Sequence, residues 1–339
     1  MKTYDLRSDT FTKPTEGMRK AMYEAEVGDD VYGEDPTVNK LQEMAREITG
    51  KESALLISSG CMGNLIPMMI KGGRGKEILT SSYSHIVNHE IGAIASLSGT
   101  LPVMVPSEYG IMNAEDVEAS IHGYSYDMSE TAMIETENTT SGLVYPIDEL
   151  RRIKNVSERH GLWTHLDGAR IFNASVESGI SVKEYAATAD DITFCLSKGL
   201  GAPAFSILAS DGDFIEKAKR CRKILGGGMR QVGILAAAGI YALRHNVERL
   251  RDDHEHRALI SKALEEAPWA DVRISSTNMI FFASDYPMAR IIEAMRKRGV
   301  LMLAEGRLGR IVLSMGINDD DASEIASLIG TIEEGELCG

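Results

Sequence analysis

Short apolar runs that end in polar or glycine residues recur along the N-terminal part of the chain. Four of these runs predict strands, at residues 54–57, 132–134, 162–166 and 192–196. Helical spacing lies between them, and one such face carries Val38, Leu41, Ala45 and Ile48. This alternation predicts an α/β fold with a large, largely parallel sheet. Because ligands bind at the carboxyl ends of such strands, the polar residues that follow the runs are candidates for a site.

The C-terminal part has its own pattern. Two sets of apolar residues follow an i, i+3, i+4, i+7 spacing, and these are Met288, Ile291, Ile292, Met295 and Ile325, Leu328, Ile329, Ile332. Strands are predicted at 279–282 and 310–313. We therefore expect an N-terminal arm over 1–15, a large domain over 16–245 and a small C-terminal α/β domain over 246–339. Since no linker rich in proline, glycine or serine marks the boundary, we place it in a helix around 241–257.

Composition narrows the class of protein. The chain has 339 residues and a net charge of −14, which argues against a nucleic-acid or anionic-membrane partner. Its apolar runs are shorter than the roughly 18 residues of a membrane helix, and the N-terminus shows no signal peptide. The four cysteines have no zinc-binding or CxxC spacing. We expect a cytoplasmic protein with a small-molecule ligand and no metal.

Lys198 follows the run at 192–196 and begins a glycine-containing turn in SKGLG. A lysine at the end of a buried strand can form a Schiff base with a carbonyl compound, because its surroundings can lower its pKa. An exposed lysine that merely ends a strand fits the same segment, so this motif alone leaves both interpretations open.

Asp167 directly follows the run at 162–166, and Arg170 lies three residues further along the chain. Pyridoxal 5′-phosphate (PLP) needs a carboxylate against its pyridinium nitrogen, which keeps the ring protonated as an electron sink. Arginine suits a bidentate grip on a substrate carboxylate. A helix-capping aspartate followed by a surface arginine is the alternative interpretation.

Two glycine-containing segments are candidates for phosphate binding. SSGCMGN at 58–64 follows a strand and precedes an apolar helix, whose N-terminal N–H groups could hold an anion. LGGGMRQ at 225–231 places three glycines near Lys223 and Arg230. Neither segment is a GxGxxG motif or a P-loop, and both are compatible with plain turns. His85 and His89 could share a helical face but lack the HExxH glutamate, so no metal site is predicted, and His85 alone suggests a structural histidine.

Taken together, these segments resemble the L-threonine aldolases, within the β-eliminating lyase group of PLP enzymes. The matching stretches run in family order over nearly the whole chain and are DLRSDT (5–10), VGDDVYGEDPT (27–37), SHI (84–86), DGARIFNA (167–174), LSKGL (196–200) and GGGMRQ (226–231). The resemblance implies an aspartate aminotransferase-like fold, and a retro-aldol cleavage of a β-hydroxy-α-amino acid to glycine and an aldehyde.

The resemblance also implies a role for particular residues and an assembly. The implied catalytic residues are Lys198, Asp167 and His85. Lys198 would hold PLP, Asp167 would face its pyridinium nitrogen, and His85 would lie over its ring. The implied phosphate contacts are the N–H groups of Gly60 and Cys61, with Arg230 reaching from a neighbouring subunit. The implied ligands of the substrate carboxylate are Ser8, Arg170 and Arg310. A homo-oligomer, either a dimer or a tetramer, is expected, with the site at the subunit interface.

The chain departs from the family pattern on the substrate side. Asp127, Thr140 and Ser314 stand where family members usually have histidines, whereas the cofactor residues are kept. Another PLP reaction on the same scaffold, β-elimination or racemisation, therefore stays open beside the aldolase. A non-enzymatic or dehydrogenase-like α/β protein without PLP is the third interpretation.

Overall fold

A computed structural model describes residues 2–338, and seven strands within them form a central sheet. Their order across the sheet is Ser53–Ile57, Ser206–Ser210, Asp191–Cys195, Trp163–Asp167, Glu130–Glu137, Lys76–Ser81 and Leu101–Val105. Ser206–Ser210 runs antiparallel to both of its neighbours, and the other adjacent strands pair in parallel. The predicted α/β fold with a largely parallel sheet is confirmed.

Helices cover both faces of this sheet, which explains why its inner strands are mostly buried. The helices of this part are Glu16–Tyr23, Pro36–Thr49, Gly60–Lys71, His85–Asn88, Ala114–Ala119, Ile147–His160, Ile171–Ser178, Val182–Ala186, Gly212–Ile224 and Gly233–His245. Shorter helical turns lie at Asp9–Phe11, Asp30–Tyr32 and Ile94–Ser98, and a small hairpin joins Ser107–Glu108 to Ile111–Met112.

The helix Pro36–Thr49 shows how local sequence sets these elements. Asp35 caps it, since its side chain accepts hydrogen bonds from the N–H groups of Thr37 and Val38, and proline occupies the first position. Gly50 ends the helix with a φ of 66°, a conformation that favours glycine. The predicted face is buried at Val38, Leu41 and Ala45.

A second sheet of four antiparallel strands lies in the C-terminal part of the described chain. Its order is Asp271–Ser276, Met279–Ala283, Leu308–Val312 and Leu303–Glu305. The helices beside it are Leu250–Glu265, Met288–Lys297, Asp319–Gly330 and Glu334–Leu337. The N-terminal strand Tyr4–Asp5 pairs in parallel with Val300–Leu301, and Leu6 is buried in the core of this second sheet.

One expectation about this region is wrong. The segment 241–257, which we predicted as one helix carrying the domain boundary, contains the end of Gly233–His245 and the start of Leu250–Glu265. The first helix ends at Asn246, whose side chain donates to the Leu200 carbonyl oxygen at 2.7 Å. That contact draws the chain towards the Lys198 turn, which hydrophobic spacing could not reveal. The predicted boundaries at 15/16 and 245/246 stay predictions.

Within residues 2–338, no helix combines the length and the apolar character that crossing a bilayer requires.

Candidate active site

The carboxyl ends of the central strands bring the predicted acid and lysine to one edge. Asp167 is the last residue of Trp163–Asp167 and is 2% exposed, while Lys198 follows the neighbouring strand Asp191–Cys195. Asp167 accepts from the Ala169 N–H at 2.9 Å and from Asn64 Nδ2 at 2.7 Å. The site therefore has a buried carboxylate in a fixed orientation beside a strand-end lysine.

Two further carboxyl groups lie close to Asp167 at this edge. Ligand atoms of Glu135, Glu137 and Asp167 lie within 4.8 Å of one another. Burial raises the pKa of Glu135 to about 7. Burial and the neighbouring Asp167 charge raise the pKa of Glu137 well above its ordinary value, an effect that the Lys198 ammonium partly offsets. Both shifts favour the neutral form of the acid, which reduces the negative charge beside Asp167.

His85 begins the short helix His85–Asn88 and reaches the same cluster. Its Nδ1 lies 2.8 Å from Oε1 of the buried Glu90, and its backbone N–H donates to Glu137 Oε2 at 3.0 Å. A carboxylate only accepts, so Nδ1 carries the proton, and Nε2 of the neutral ring is left as the acceptor. Such a ring can take a proton from a ligand at Nε2.

Asp9 and Arg170 form a buried bidentate pair. Arg170 Nε and Nη2 donate to the two carboxylate oxygens of Asp9 at 2.8 and 2.7 Å. Burial alone would raise the pKa of Asp9, but the guanidinium outweighs it and holds the pKa below its ordinary value. Arg170 is therefore positioned by Asp9 rather than free, and Asp9 is a site residue to which the sequence assigned no role.

Arg310 projects from the strand Leu308–Val312 towards Arg170 and is less completely paired. Its Nη1 donates to the Arg7 carbonyl oxygen at 3.4 Å, and its Nε lies 3.4 Å from a Glu305 oxygen without a hydrogen bond. Burial, together with the Arg170 charge, lowers the pKa of Arg310. A buried guanidinium with an unsatisfied N–H is suited to a carboxylate ligand.

A cleft of about 80 Å³ is bordered by His85, Arg170 and Arg310. We call it the cleft hereafter, and its walls are Tyr83, His85, His89, Glu137, Thr139, Ser141, Arg170, Met279, Phe281, Glu305 and Arg310. It lies between the edge of the central sheet and the second sheet, so a ligand in it touches both. The rings of His85 and His89 are 5.3 Å apart at their centroids, and sequence spacing had already placed those two on one face.

The start of the helix Gly60–Lys71 fits the phosphate of PLP. Ser59 caps this helix by accepting from the Met62 N–H, and first-turn N–H groups have no partner within a helix. A Cβ at Gly60 would lie only 3.0 Å from Cys195 Sγ, so glycine suits this close approach. Burial raises the pKa of the Cys61 thiol to about 11, with Glu90 and Asp167 adding to the shift. Cys61 is therefore a neutral thiol, and its backbone is the part suited to an anion.

Among the predicted site residues, the cleft is lined by His85, Arg170 and Arg310 but not by Lys198, Asp167, Gly60, Cys61, Arg230 or Ser8. Arg230 pairs with Asp29 at 2.8 Å and half of its side chain is exposed. The Ser8 hydroxyl accepts from the Thr10 N–H and caps the turn Asp9–Phe11. Ser8 is thus adjacent in sequence to the Asp9–Arg170 pair but does not line the cleft.

The three substituted positions differ in setting. The buried Thr140 hydroxyl donates to the Tyr109 carbonyl oxygen at 3.0 Å, so it supports a turn. Asp127 is exposed and accepts from the Ser125 hydroxyl. Ser314 is buried and its carbonyl oxygen accepts from the Ile317 N–H. None of the three lines the cleft of the described chain.

Sequence reasoning missed a layer of residues beneath the cleft. Asn64 contacts Asp167, Glu90 contacts His85, and Asp9 contacts Arg170. Each lies in or beside a segment already singled out, but neither the contact of Asn64 with Asp167 nor that of Asp9 with Arg170, each between segments more than 100 residues apart, leaves a periodic signal. We call the buried set Asn64, Glu90, His165, Asp167 and Asp191 the floor network.

Comparisons with known proteins agree with this geometry. Residues 5–286 match the beta-eliminating lyase family model. The chain is 41% identical over 325 residues to the low specificity L-threonine aldolase of Escherichia coli K12, covering 95% of this chain and 97% of that protein. It is also 41% identical to the low-specificity L-threonine aldolase 1 of Arabidopsis thaliana, covering 92% and 90%.

Solved structures show the same fold. A threonine aldolase from Leishmania major aligns with a TM-score of 0.84 at 21% identity, covering 96% of this chain and 98% of that one. Serine palmitoyltransferase from Sphingomonas wittichii aligns with a TM-score of 0.78 at 18% identity, covering 98% and 88%. The predicted aspartate aminotransferase-like fold, shared by PLP enzymes, is confirmed.

Proposed function

The chain belongs to the beta-eliminating lyase family, among the low-specificity L-threonine aldolases, and we propose that it cleaves L-threonine, L-allo-threonine or a related β-hydroxy-α-amino acid to glycine and an aldehyde. It is a PLP-dependent carbon–carbon lyase. The observation that carries the proposal is the meeting of a strand-end lysine, a buried aspartate and an arginine-walled cleft at one edge of the sheet.

The residues present suit PLP. When bound, PLP supplies an electron sink for the charge that develops at the substrate Cα as the Cα–Cβ bond breaks. Lys198 is the residue that would hold it, and Asp167 would keep its ring nitrogen protonated. The His85 ring would lie over it, and the Gly60 and Cys61 N–H groups would contact its phosphate.

The cleft supports binding of an α-amino acid. Arg310 has an unsatisfied guanidinium N–H, and Arg170 is held rigidly by Asp9, so the two can grip one carboxylate. His85 lines the same cleft as the two arginines, so it is the candidate to face the β-hydroxyl. With its Nδ1 proton facing Glu90, His85 can take the hydroxyl proton at Nε2, directly or through a water.

The assembly belongs to the same proposal. Arg230 lies apart from the cleft of its own chain, which supports a role at the phosphate of a neighbouring subunit in a homodimer or homotetramer. A contribution of Ser8 to carboxylate binding, a cytoplasmic location and the lack of a metal also stay predictions.

The experiment that tests the activity identifies its products. Holoenzyme is incubated separately with L-threonine, L-allo-threonine and L-phenylserine, and glycine, the aldehyde, the 2-oxo acid and ammonia are each quantified. Glycine and aldehyde in equal amounts are expected. A 2-oxo acid with ammonia would instead identify β-elimination, and a changed configuration without cleavage would identify racemisation.

A further inference from the structure

Asn64 lies at the centre of a continuous hydrogen-bond chain through the floor network. Its Nδ2 donates to Asp167 Oδ2 at 2.7 Å and to Glu90 Oε1 at 2.9 Å. Its Oδ1 lies 3.1 Å from His165 Nε2, and His165 Nδ1 lies 2.5 Å from Asp191 Oδ2. Asn64 is 1% exposed and His165 is fully buried, so solvent does not compete for these contacts.

The donors and acceptors of this chain determine its protonation. Carboxylates that face an amide accept, so the Asn64 atom between Asp167 and Glu90 must be the NH₂ group. Its carbonyl oxygen therefore faces His165, and Nε2 of that ring must carry a proton. Nδ1 faces the Asp191 carboxylate and must carry one too. An imidazole protonated at both nitrogens is a cation, and with ionised carboxylates at Asp167, Glu90 and Asp191 this hydrogen-bond pattern requires one.

Electrostatics agree with that assignment. Burial alone would lower the pKa of His165, but the Asp191 carboxylate outweighs burial and raises the pKa to about 9, and Asp167 and Glu135 also raise it. His165 lies two residues before Asp167 on one strand, so both side chains point to the same face. The cation thus lies within the carboxylate cluster that it helps to balance.

We propose that Asn64 is a positioning residue that holds Asp167 and, through Glu90, His85, and that His165 is an imidazolium at neutral pH that fixes the orientation of the Asn64 amide. The inference rests on the proposed function, which places Asp167 at the ring nitrogen of PLP and His85 over the ring. Asn64 Nδ2 donates to both Asp167 and Glu90. Asp167 at the ring nitrogen and His85 over the ring face therefore cannot shift independently.

A matched pair of variants separates positioning from folding. Asn64→Leu removes both donors without a large change in volume. Asn173→Leu is the control: Asn173 is 2% exposed and its Oδ1 lies 3.0 Å from a histidine Nε2, that of His254, but it does not contact the floor network. Both variants lose a buried amide beside a histidine, so both are expected to be less stable.

Only Asn64→Leu is expected to change the bound cofactor. Its Kd for PLP rises about tenfold or more, because a hydrogen bond to a charged group is lost. The pH midpoint of the visible band of lysine-bound PLP also rises. Without Asn64 to position Asp167 the PLP ring is less protonated, and a less protonated ring no longer disfavours the positive charge on the nitrogen that joins PLP to the lysine. Turnover falls with little change in KM. A spectrum, Kd and pH midpoint like those of Asn173→Leu would overturn the role of Asn64.

The charge of His165 can be measured in the unaltered holoenzyme, even where a variant fails to fold. With ¹⁵N-labelled histidine, and the signal assigned by its loss in His165→Gln, both ring nitrogens are expected to be protonated at neutral pH. A neutral ring would overturn the imidazolium.

Asp167→Asn in the same assays separates this inference from the proposed function. If Asp167→Asn leaves the cofactor spectrum and turnover unchanged, the assignment of Asp167 is wrong. If Asp167→Asn changes both and Asn64→Leu behaves as wild type, the inference alone is wrong.

Discussion

The floor network and the cleft are built on different principles. The floor network is buried, and its members hydrogen-bond to one another within one chain, as where Asn64 joins Asp167 to Glu90. In the cleft, Arg310 keeps an unsatisfied N–H and the His89 ring is exposed. A network in which every group is paired tolerates little change, whereas an open wall can exchange side chains. The departures from the family pattern at Asp127, Thr140 and Ser314 lie outside both sets, since none of these residues lines the cleft of the described chain.

The largest expected effect is at Lys198. Lys198→Ala should lose detectable turnover, because no other amine is predicted to hold the cofactor covalently. Borohydride reduction of wild-type holoenzyme followed by peptide mapping should place the pyridoxyl group on Lys198. A pyridoxyl group on another lysine would contradict the assignment.

Asp167→Asn tests the floor network directly. The amide cannot hold the pyridinium proton, so the variant should retain some PLP and lose most of its turnover. Steady-state kinetics and the absorption spectrum measure both effects. Asp285→Asn, the same change at an exposed position, is the control and should keep turnover near that of the wild type. Near-normal turnover of Asp167→Asn would refute its role.

Arg310→Gln tests the cleft. Loss of one charged hydrogen-bond partner should lower kcat/KM by about 10- to 150-fold, equivalent to about 1.5–3 kcal/mol. Arg170→Gln should behave similarly and should also remove the ion pair of Asp9. Arg307→Gln, on the exposed part of the same hairpin, is the matched control. If wild type uses amino alcohols as well as amino acids, neither arginine binds the carboxylate.

A smaller effect is expected where the chain departs from the family pattern. We predict that the enzyme prefers a β-substituent or configuration other than that of L-threonine, since imidazoles are replaced at Asp127, Thr140 and Ser314. Asp127→His and Thr140→His should shift relative kcat/KM among L-threonine, L-allo-threonine and L-phenylserine. Because the Thr140 hydroxyl supports a turn, Asp127→His is the cleaner variant. Strong wild-type activity on L-threonine, unchanged in both variants, would show that these positions do not set specificity.

The smallest effect concerns stability rather than turnover. The pKa of Glu135 is raised to about 7 in the folded chain, above the ordinary 4.5, so the folded state binds more protons between these values. Its contribution to stability is therefore present at pH 4.5 and is lost as pH rises through 7. Glu135→Gln mimics the neutral acid and should match wild type at pH 5 but exceed it in Tm at pH 8. Equal differences at both pH values would contradict the raised pKa.

Much of the fold was available from the sequence. Period-two and helical spacing identified four central strands and the faces of several helices, because burial imposes those periods on the chain itself. The helix break at 246–249 was missed, since it depends on Asn246 reaching Leu200, a contact between distant segments. The strand Ser206–Ser210 was not predicted either. Its short apolar run also does not reveal that it runs antiparallel to both neighbours in the sheet.

The sequence by itself determined which residues are candidates for the chemistry. Contiguous motifs that can be recognised in order from the sequence contain Lys198, Asp167, Arg170 and His85. Only the tertiary structure decided how they are held: Asp9 against Arg170, Glu90 against His85, and Asn64 beneath Asp167. The reason is physical. A reactive side chain at a strand end follows from local spacing, but the partner that sets its orientation and protonation comes from another strand or helix, and only folding brings the two within hydrogen-bond distance.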